Sequence, residues 1–216
     1  MTRQYSEQVA CTPISLDNGG FNKSSILPFE LGLDHISSAM VDFLSFLGFI
    51  NNQLYTKQMQ RLESMLMPAN FSSIVGEFMT SRIPKYCAGL VKNRYHNGHP
   101  DLIPAGMFLD DAVQHANMGI EVKASRYLRG WQGHNPEDAW LMVFVFDSNR
   151  PVDLEPKPFQ FLKVVGAQLT KNDWLFSGRS DSSRRTITAS VMESGYQKMT
   201  ANWIYQVSGS HPVKQG

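Results

Sequence analysis

The sequence predicts an α/β fold: a central mixed β-sheet flanked by helices, with an N-terminal helical part. Three observations support this. Apolar residues recur at helical spacing in the first third of the chain. After His99 the pattern changes to β-branched and aromatic runs. The most apolar of these, 140–146, reads as a central strand buried on both faces. The 216 residues suit a single domain, with an N-terminal helical part (1–70), a core (71–170) and a C-terminal part (171–216). A chain of this length can bury a core without disulfide or metal staples.

Residues 1–30 are loop-rich, with a turn signal at Asp17-Asn18-Gly19-Gly20 and prolines at 13 and 28. Ile36, Met40, Phe43, Leu47 and Ile50 then line one face of a helix, for which Asp34 is the expected N-cap. Tyr55, Met59, Leu62 and Leu66 predict a second helix ending before Pro68. Phe71, Ile74 and Phe78 predict a third, capped near Asn70 and interrupted at Pro84. Strands are expected at 120–124, 141–146 and 159–169, shorter ones at 174–176 and 186–190, and a late helix at 191–199.

Composition narrows the function classes. An apolar share of 42% and a charged share of 18% fit a globular protein. The formal net charge of +1 is lower than expected of a protein that coats nucleic acid, and leaves room for a local basic groove. Cys11 and Cys87 have no metal-ligand spacing, so a reducing, cytoplasmic setting is expected. The first ten residues lack a secretory apolar region, and the longest apolar run, 43–50, is short of the roughly 20 residues a span needs. No membrane association is expected.

Two segments carry chemistry: His99-Pro100-Asp101-Leu102-Ile103-Pro104 and Gly119-Ile120-Glu121-Val122-Lys123-Ala124-Ser125. Strand side chains alternate, so Glu121 and Lys123 share a face while Val122 points into the core, with its carbonyl near the site. Asp101, on or beside a neighbouring strand, completes the cluster. Phosphodiester hydrolysis needs a hard cation at the scissile phosphate. Mg²⁺ takes oxygen ligands, commonly one or two carboxylates plus phosphate and water. Asp101, Glu121 and the Val122 carbonyl are the expected metal ligands. Lys123 can orient the water and stabilise transition-state charge. The plainer reading of Glu121 and Lys123 is an ion pair on a solvated face.

Pro100-Asp101 followed by Glu121-Val122-Lys123 resembles the PD-(D/E)XK nuclease superfamily, which includes most type II restriction endonucleases. The resemblance covers roughly residues 74–146 and includes the order helix, PD segment, apolar strand with EVK, core strand. It implies a restriction-endonuclease-like core and a Mg²⁺-dependent endonuclease acting on double-stranded DNA, with Mn²⁺ able to substitute. It also implies a metal-assisting acid on the preceding helix, a place that Glu77 fits, and a homodimer at a short specific site. The catalytic set is then Asp101, Glu121, Lys123 and Glu77.

DNA contacts are expected from Arg126 and Arg129 directly after the motif, and from Gln132, His134 and Asn135 in the next loop. Arg179, Ser183, Arg184, Arg185 and Thr186 in the C-terminal part are expected to read the sequence. Arg82, Lys85, Lys92 and Arg94 form a basic stretch where a phosphate backbone would pass, although a solvated helix face explains them as well. Asp110 and Asp111 are expected in the connection between the catalytic strands. The four histidines 96, 99, 115 and 134 match no zinc spacing. Alternatives with the same core are a structure-specific, resolvase-like repair or recombination nuclease, and a non-catalytic DNA-binding module.

Overall fold

The recurrence of Ile36, Met40, Phe43 and Leu47 folds as expected into a long helix with these four side chains fully buried. In the computed structural model, which describes residues 6–133, 136–177 and 188–208, a one-turn helix α1 (Glu7–Ala10) precedes this helix, α2 (Leu33–Thr56). Its N-cap is Gly32, two residues before the expected Asp34. The Gly32 amide donates to His35 Nδ1 at 3.0 Å, and Asp34 lies in the first turn, where its charge suits the helix dipole. The second predicted helix is largely absent. Tyr55 belongs to α2, Met59 is exposed in a turn, and only α3 (Leu62–Met65) forms. The physical reason is a competing side-chain bond: Asn51 Oδ1 accepts the Leu62 amide, so the chain folds back on α2. Next, α4 (Pro68–Arg82) starts with Pro68 in its first turn, two residues before the expected cap at Asn70, and gives way near Pro84 to a 3₁₀ turn.

Among the described residues nine strands follow: β1 (Leu90–Lys92), β2 (Leu102–Pro104), β3 (Ile120–Ser125), β4 (Gln132–Gly133), β5 (Ala139–Asp147), β6 (Gln160–Leu169), β7 (Trp174–Ser177), β8 (Thr188–Val191) and β9 (Trp203–Gln206), with α5 (Glu193–Ala201) before the last. Six form one mixed sheet in the order β1-β2-β3-β5-β6-β9. The β3–β5 pair is parallel and the others are antiparallel. A smaller antiparallel sheet has the order β4-β8-β7. Strand β2 is the neighbouring strand expected on or beside Asp101, whereas β1, β4 and β9 are short and were not predicted.

Strand β5 is buried along all but its last residue, which explains its unbroken apolar run. Its side chains split between two cores. Trp140, Met142, Phe144 and Phe146 face α2 and α4, together with Val122, Phe71 and Phe159. Leu141, Val143 and Val145 face α5 and the small sheet, with Trp131, Trp174 and Met199. Each fully buried large apolar side chain contributes about 1.5–3 kcal/mol. The N-terminal helices share the first core with the sheet. The C-terminal part is likewise structural, since β9 completes the sheet and α5 covers it. Among the described residues α2 alone is long and apolar enough to cross a membrane, a property that short apolar runs did not reveal. Its buried face packs instead as a core helix of a globular α/β fold.

Gly119 sets the spacing of β2 and β3. Its φ is +144°, and a Cβ there would lie 2.2 Å from the Leu102 carbonyl oxygen and 2.4 Å from Pro100 Cγ. Gly119→Ala should therefore lower unfolding stability by roughly 2–4 kcal/mol. Urea unfolding reads this directly. An unchanged midpoint would show that the two strands part without cost.

Candidate active site

Strands β2 and β3 pair only at Leu102 and Ile120, which leaves the next amide donor of β3 on that side, Val122, without a strand partner. Asp101, immediately before β2, supplies the partner: its Oδ2 accepts the Val122 amide at 2.9 Å. This bond brings the PD segment onto the EVK strand. Val122 is buried in the core beneath, while Glu121 and Lys123 emerge on the opposite face. Lys123 Nζ is paired with Glu121 Oε1. All three side chains line one cleft of about 1460 Å³, walled by α4 on one side and by the segments around His96 and His115 on the other.

Helix α4 packs against β3 at Gly76, where a Cβ would stand at ordinary contact distance, 3.9 Å from the Ala124 amide nitrogen and 4.0 Å from the Val122 carbonyl oxygen. Glu77, the next residue, is exposed and lines the cleft, with Oε2 2.8 Å from Lys92 Nζ. Arg94 also lines the cleft, whereas Arg82 is turned to Asp42, with a 2.6 Å bond. Asp110 and Asp111 lie in a 3₁₀ turn between β2 and β3, as expected, and Asp111 Oδ1 accepts the Gly106 amide.

Two further residues join the cluster that sequence reasoning missed. His99 Nδ1 lies 2.9 Å from Glu121 Oε2. His99 Nε2 lies 2.8 Å from Glu137 Oε2, an ion-pair approach without hydrogen-bond alignment. The position of His99, two residues before Asp101, was a usable signal. Glu137 comes from the loop before β5, and nothing in its local sequence marks it.

The expected DNA contacts divide. The Arg126 guanidinium is held inside the fold. It donates to the carbonyls of Ser148 (2.6 Å) and Asn149 (3.0 Å) and lies over the rings of Phe71 and Phe146. Both terminal nitrogens are thus engaged and Nε is buried without a partner, so the guanidinium is turned into the fold and away from the cleft where DNA contacts were expected. Arg129 is exposed but stands 4.4 Å over Tyr196 on α5, away from the cleft. Gln132 is exposed on β4. His134, Asn135, Arg179, Ser183, Arg184, Arg185 and Thr186 lie outside the described residues; the last five fall in the connection between β7 and β8.

Electrostatics separate the two carboxylates. Burial, then the negative charge of Glu121, pushes Asp101 up to about 7, against the opposing pull of Lys123 and the Val122 amide. Burial would also raise Glu121, but His99 and Lys123 overcome it and hold this carboxyl at about 2. Burial lowers His99, yet the flanking Glu121 and Glu137 carry it up to about 9. Lys123 is likewise raised, with Glu121 and Asp101 outweighing its burial. Ionised Asp101 beside Glu121 is thus disfavoured despite Lys123 and the Val122 amide, and a cation would relieve it. The donor set of Asp101, Glu121 and the Val122 carbonyl is all oxygen and fits Mg²⁺ completed by water or phosphate. Among the described residues no three His, Cys, Asp or Glu side chains converge as a cation cage.

The signs for stability follow. Asp101 has a folded-state pKa above its unfolded value of about 3.9, so its contribution is greatest at low pH and is lost as pH rises to about 7. The His99 contribution is full below about 6.5 and is lost as pH rises through about 9. Glu121 acts oppositely, losing its contribution as pH falls from about 4 towards 2. In EDTA, Asp101→Asn should gain stability relative to wild type on going from pH 5 to pH 8, by on the order of 2 kcal/mol. Parallel stability–pH curves for the two proteins would contradict this. Comparison with protein-family models, with curated proteins and with solved structures gave no match to this chain.

Proposed function

We propose that this chain is a Mg²⁺-dependent endonuclease that hydrolyses phosphodiester bonds of double-stranded DNA on a restriction-endonuclease-like core, as the PD-(D/E)XK resemblance implies. The observation that carries the reading is the Asp101–Val122 bond, which puts two carboxylates and an ammonium on one cleft. The order of elements, α4, PD segment, EVK strand and buried β5, supports it. Asp101, Glu121 and the Val122 carbonyl would hold the cation, which when bound supplies charge neutralisation at the scissile phosphate and a more acidic water. Lys123, kept protonated, orients the attacking water and stabilises the charge that builds on the phosphoryl oxygens. A water oxygen–phosphorus bond forms as the phosphorus–oxygen bond to the leaving sugar breaks. Lys92 and Arg94 offer positive charge along the same cleft.

The finer proposal is a type II restriction enzyme, acting as a homodimer at a short site. Incubation of supercoiled plasmid with Mg²⁺ or Mn²⁺ tests both levels. Discrete linear fragments support site-specific cutting, and cleavage confined to branched DNA points to a resolvase-like enzyme. No cleavage of any DNA removes the nuclease reading. Lys123→Ala should cut at least about 100-fold more slowly in single turnover while binding DNA in Ca²⁺ as wild type does, because its charge matters most in the transition state. An unchanged rate would reduce Lys123 to an ion-pair partner.

A further inference from the structure

We infer that His99 and Glu137 are a positioning pair that fixes the Glu121 carboxylate for a divalent cation; the inference rests on the nuclease reading of the site. The β3 ladder to β5 fixes the Glu121 backbone, opposite Leu141, but leaves its carboxylate free to rotate. Two groups hold the carboxylate: Lys123 on Oε1, and His99 Nδ1 at 2.9 Å from Oε2.

His99 is itself held. Its Nε2 is 2.8 Å from Glu137 Oε2, and its ring stacks on His115 at 5.4 Å and 19°. Glu137 is tied down in turn, for its backbone carbonyl accepts the Trp174 indole N–H at 3.0 Å and the neighbouring Asp138 accepts the Lys171 amide at 2.9 Å. A continuous set of contacts therefore runs from the small sheet to the catalytic strand.

The imidazole is not needed to hold its own segment. The His99 amide donates to the Gln114 carbonyl at 3.0 Å, and the His99 carbonyl accepts the Ala116 amide at 2.9 Å. It also belongs to neither hydrophobic core. Burying an imidazole between two carboxylates carries a desolvation penalty that packing does not require. Orienting a cation ligand accounts for it, since each carboxylate oxygen has two lone pairs and can accept from His99 while facing a metal. Partners of this outer kind typically change metal affinity or activity 10–100-fold.

The test uses the full chain as wild type, His99→Ala, His99→Asn and Glu137→Gln, with Mn²⁺ titrated calorimetrically in the absence of DNA and the Mg²⁺ dependence of cleavage measured beside it. His99→Ala should bind Mn²⁺ about 10–100-fold more weakly and shift the Mg²⁺ half-saturation equally. His99→Asn keeps an N–H donor where Nδ1 stands and should recover most of the affinity. A purely structural histidine would show no such recovery by a partial mimic. Glu137→Gln should fall between, and keeps the test open should the alanine variant fail to fold. Mn²⁺ binding by His99→Ala as tight as wild type, or tighter, overturns the inference and leaves the nuclease reading standing. Wild-type Mn²⁺ binding without cleavage of any DNA removes the nuclease reading, and calorimetry alone then judges the pair. A wild-type chain that binds no Mn²⁺ overturns both.

Discussion

Asp101→Ala and Glu121→Ala should each lower single-turnover DNA cleavage by at least about three orders of magnitude, equivalent to about 4 kcal/mol of transition-state stabilisation. Each substitution removes one of the two carboxylates proposed to hold the cation. The consequences for the fold differ. Loss of Asp101 leaves the Val122 amide without its acceptor at the cleft floor, yet it also removes a carboxyl held at about 7 beside Glu121. These effects oppose, and Asp101→Asn, which can retain the bond to Val122, isolates the charge. Loss of Glu121 deprives Lys123 and His99 of their shared anion, leaving His99 to Glu137 alone and Lys123 to the more distant charge of Asp101. Glu121→Ala should therefore be the less stable of the two variants at pH 7. Circular dichroism and urea unfolding establish folding, and quench-flow cleavage in Mg²⁺ reads the rate. Full activity in either variant would remove these residues from the chemistry.

The largest effect on folding should come from Arg61→Ala, at about 3–5 kcal/mol. Its guanidinium is buried. Nη1 donates to Glu63 Oε1 at 2.8 Å and to the Lys157 carbonyl at 2.9 Å, Nε to Glu7 at 2.7 Å, and Nη2 to Asn149 Oδ1 at 2.7 Å. Glu63 is completely buried, and its other oxygen accepts from Asn51 on α2 at 2.9 Å. One arginine thus ties α1, α3 and α2 to the loop between β5 and β6. Truncating it leaves the Glu63 carboxylate buried with the amide of Asn51 alone. Removing both charges together in Arg61→Met/Glu63→Leu should cost much less, because no unpaired ion remains. Equal losses in the single and double variants would show that packing, not charge, accounts for the effect. None of these residues lines the cleft, so DNA cleavage by the folded fraction should persist.

The sequence alone determined the α/β class, the long helix α2, the buried strand β5 and the alternation that puts Glu121 and Lys123 on one face. These follow from periodicities of 3.6 and 2, which local residue order states directly. It also nominated Asp101, because two short motifs stood out against their surroundings. Only the tertiary structure decided how Asp101 reaches β3, since that depends on where the β2–β3 ladder stops and on Gly119 letting the strands approach. The same holds for the second predicted helix, lost to the Asn51–Leu62 bond, and for Arg126, whose two terminal nitrogens donate to carbonyls more than twenty residues away. Glu137 became part of the site through a contact 38 residues along the chain from His99, and no local pattern encodes a partner at that distance. Periodicity reports which face a side chain takes; the partner it meets there is set by chain reversals, and those depend on packing of the whole fold.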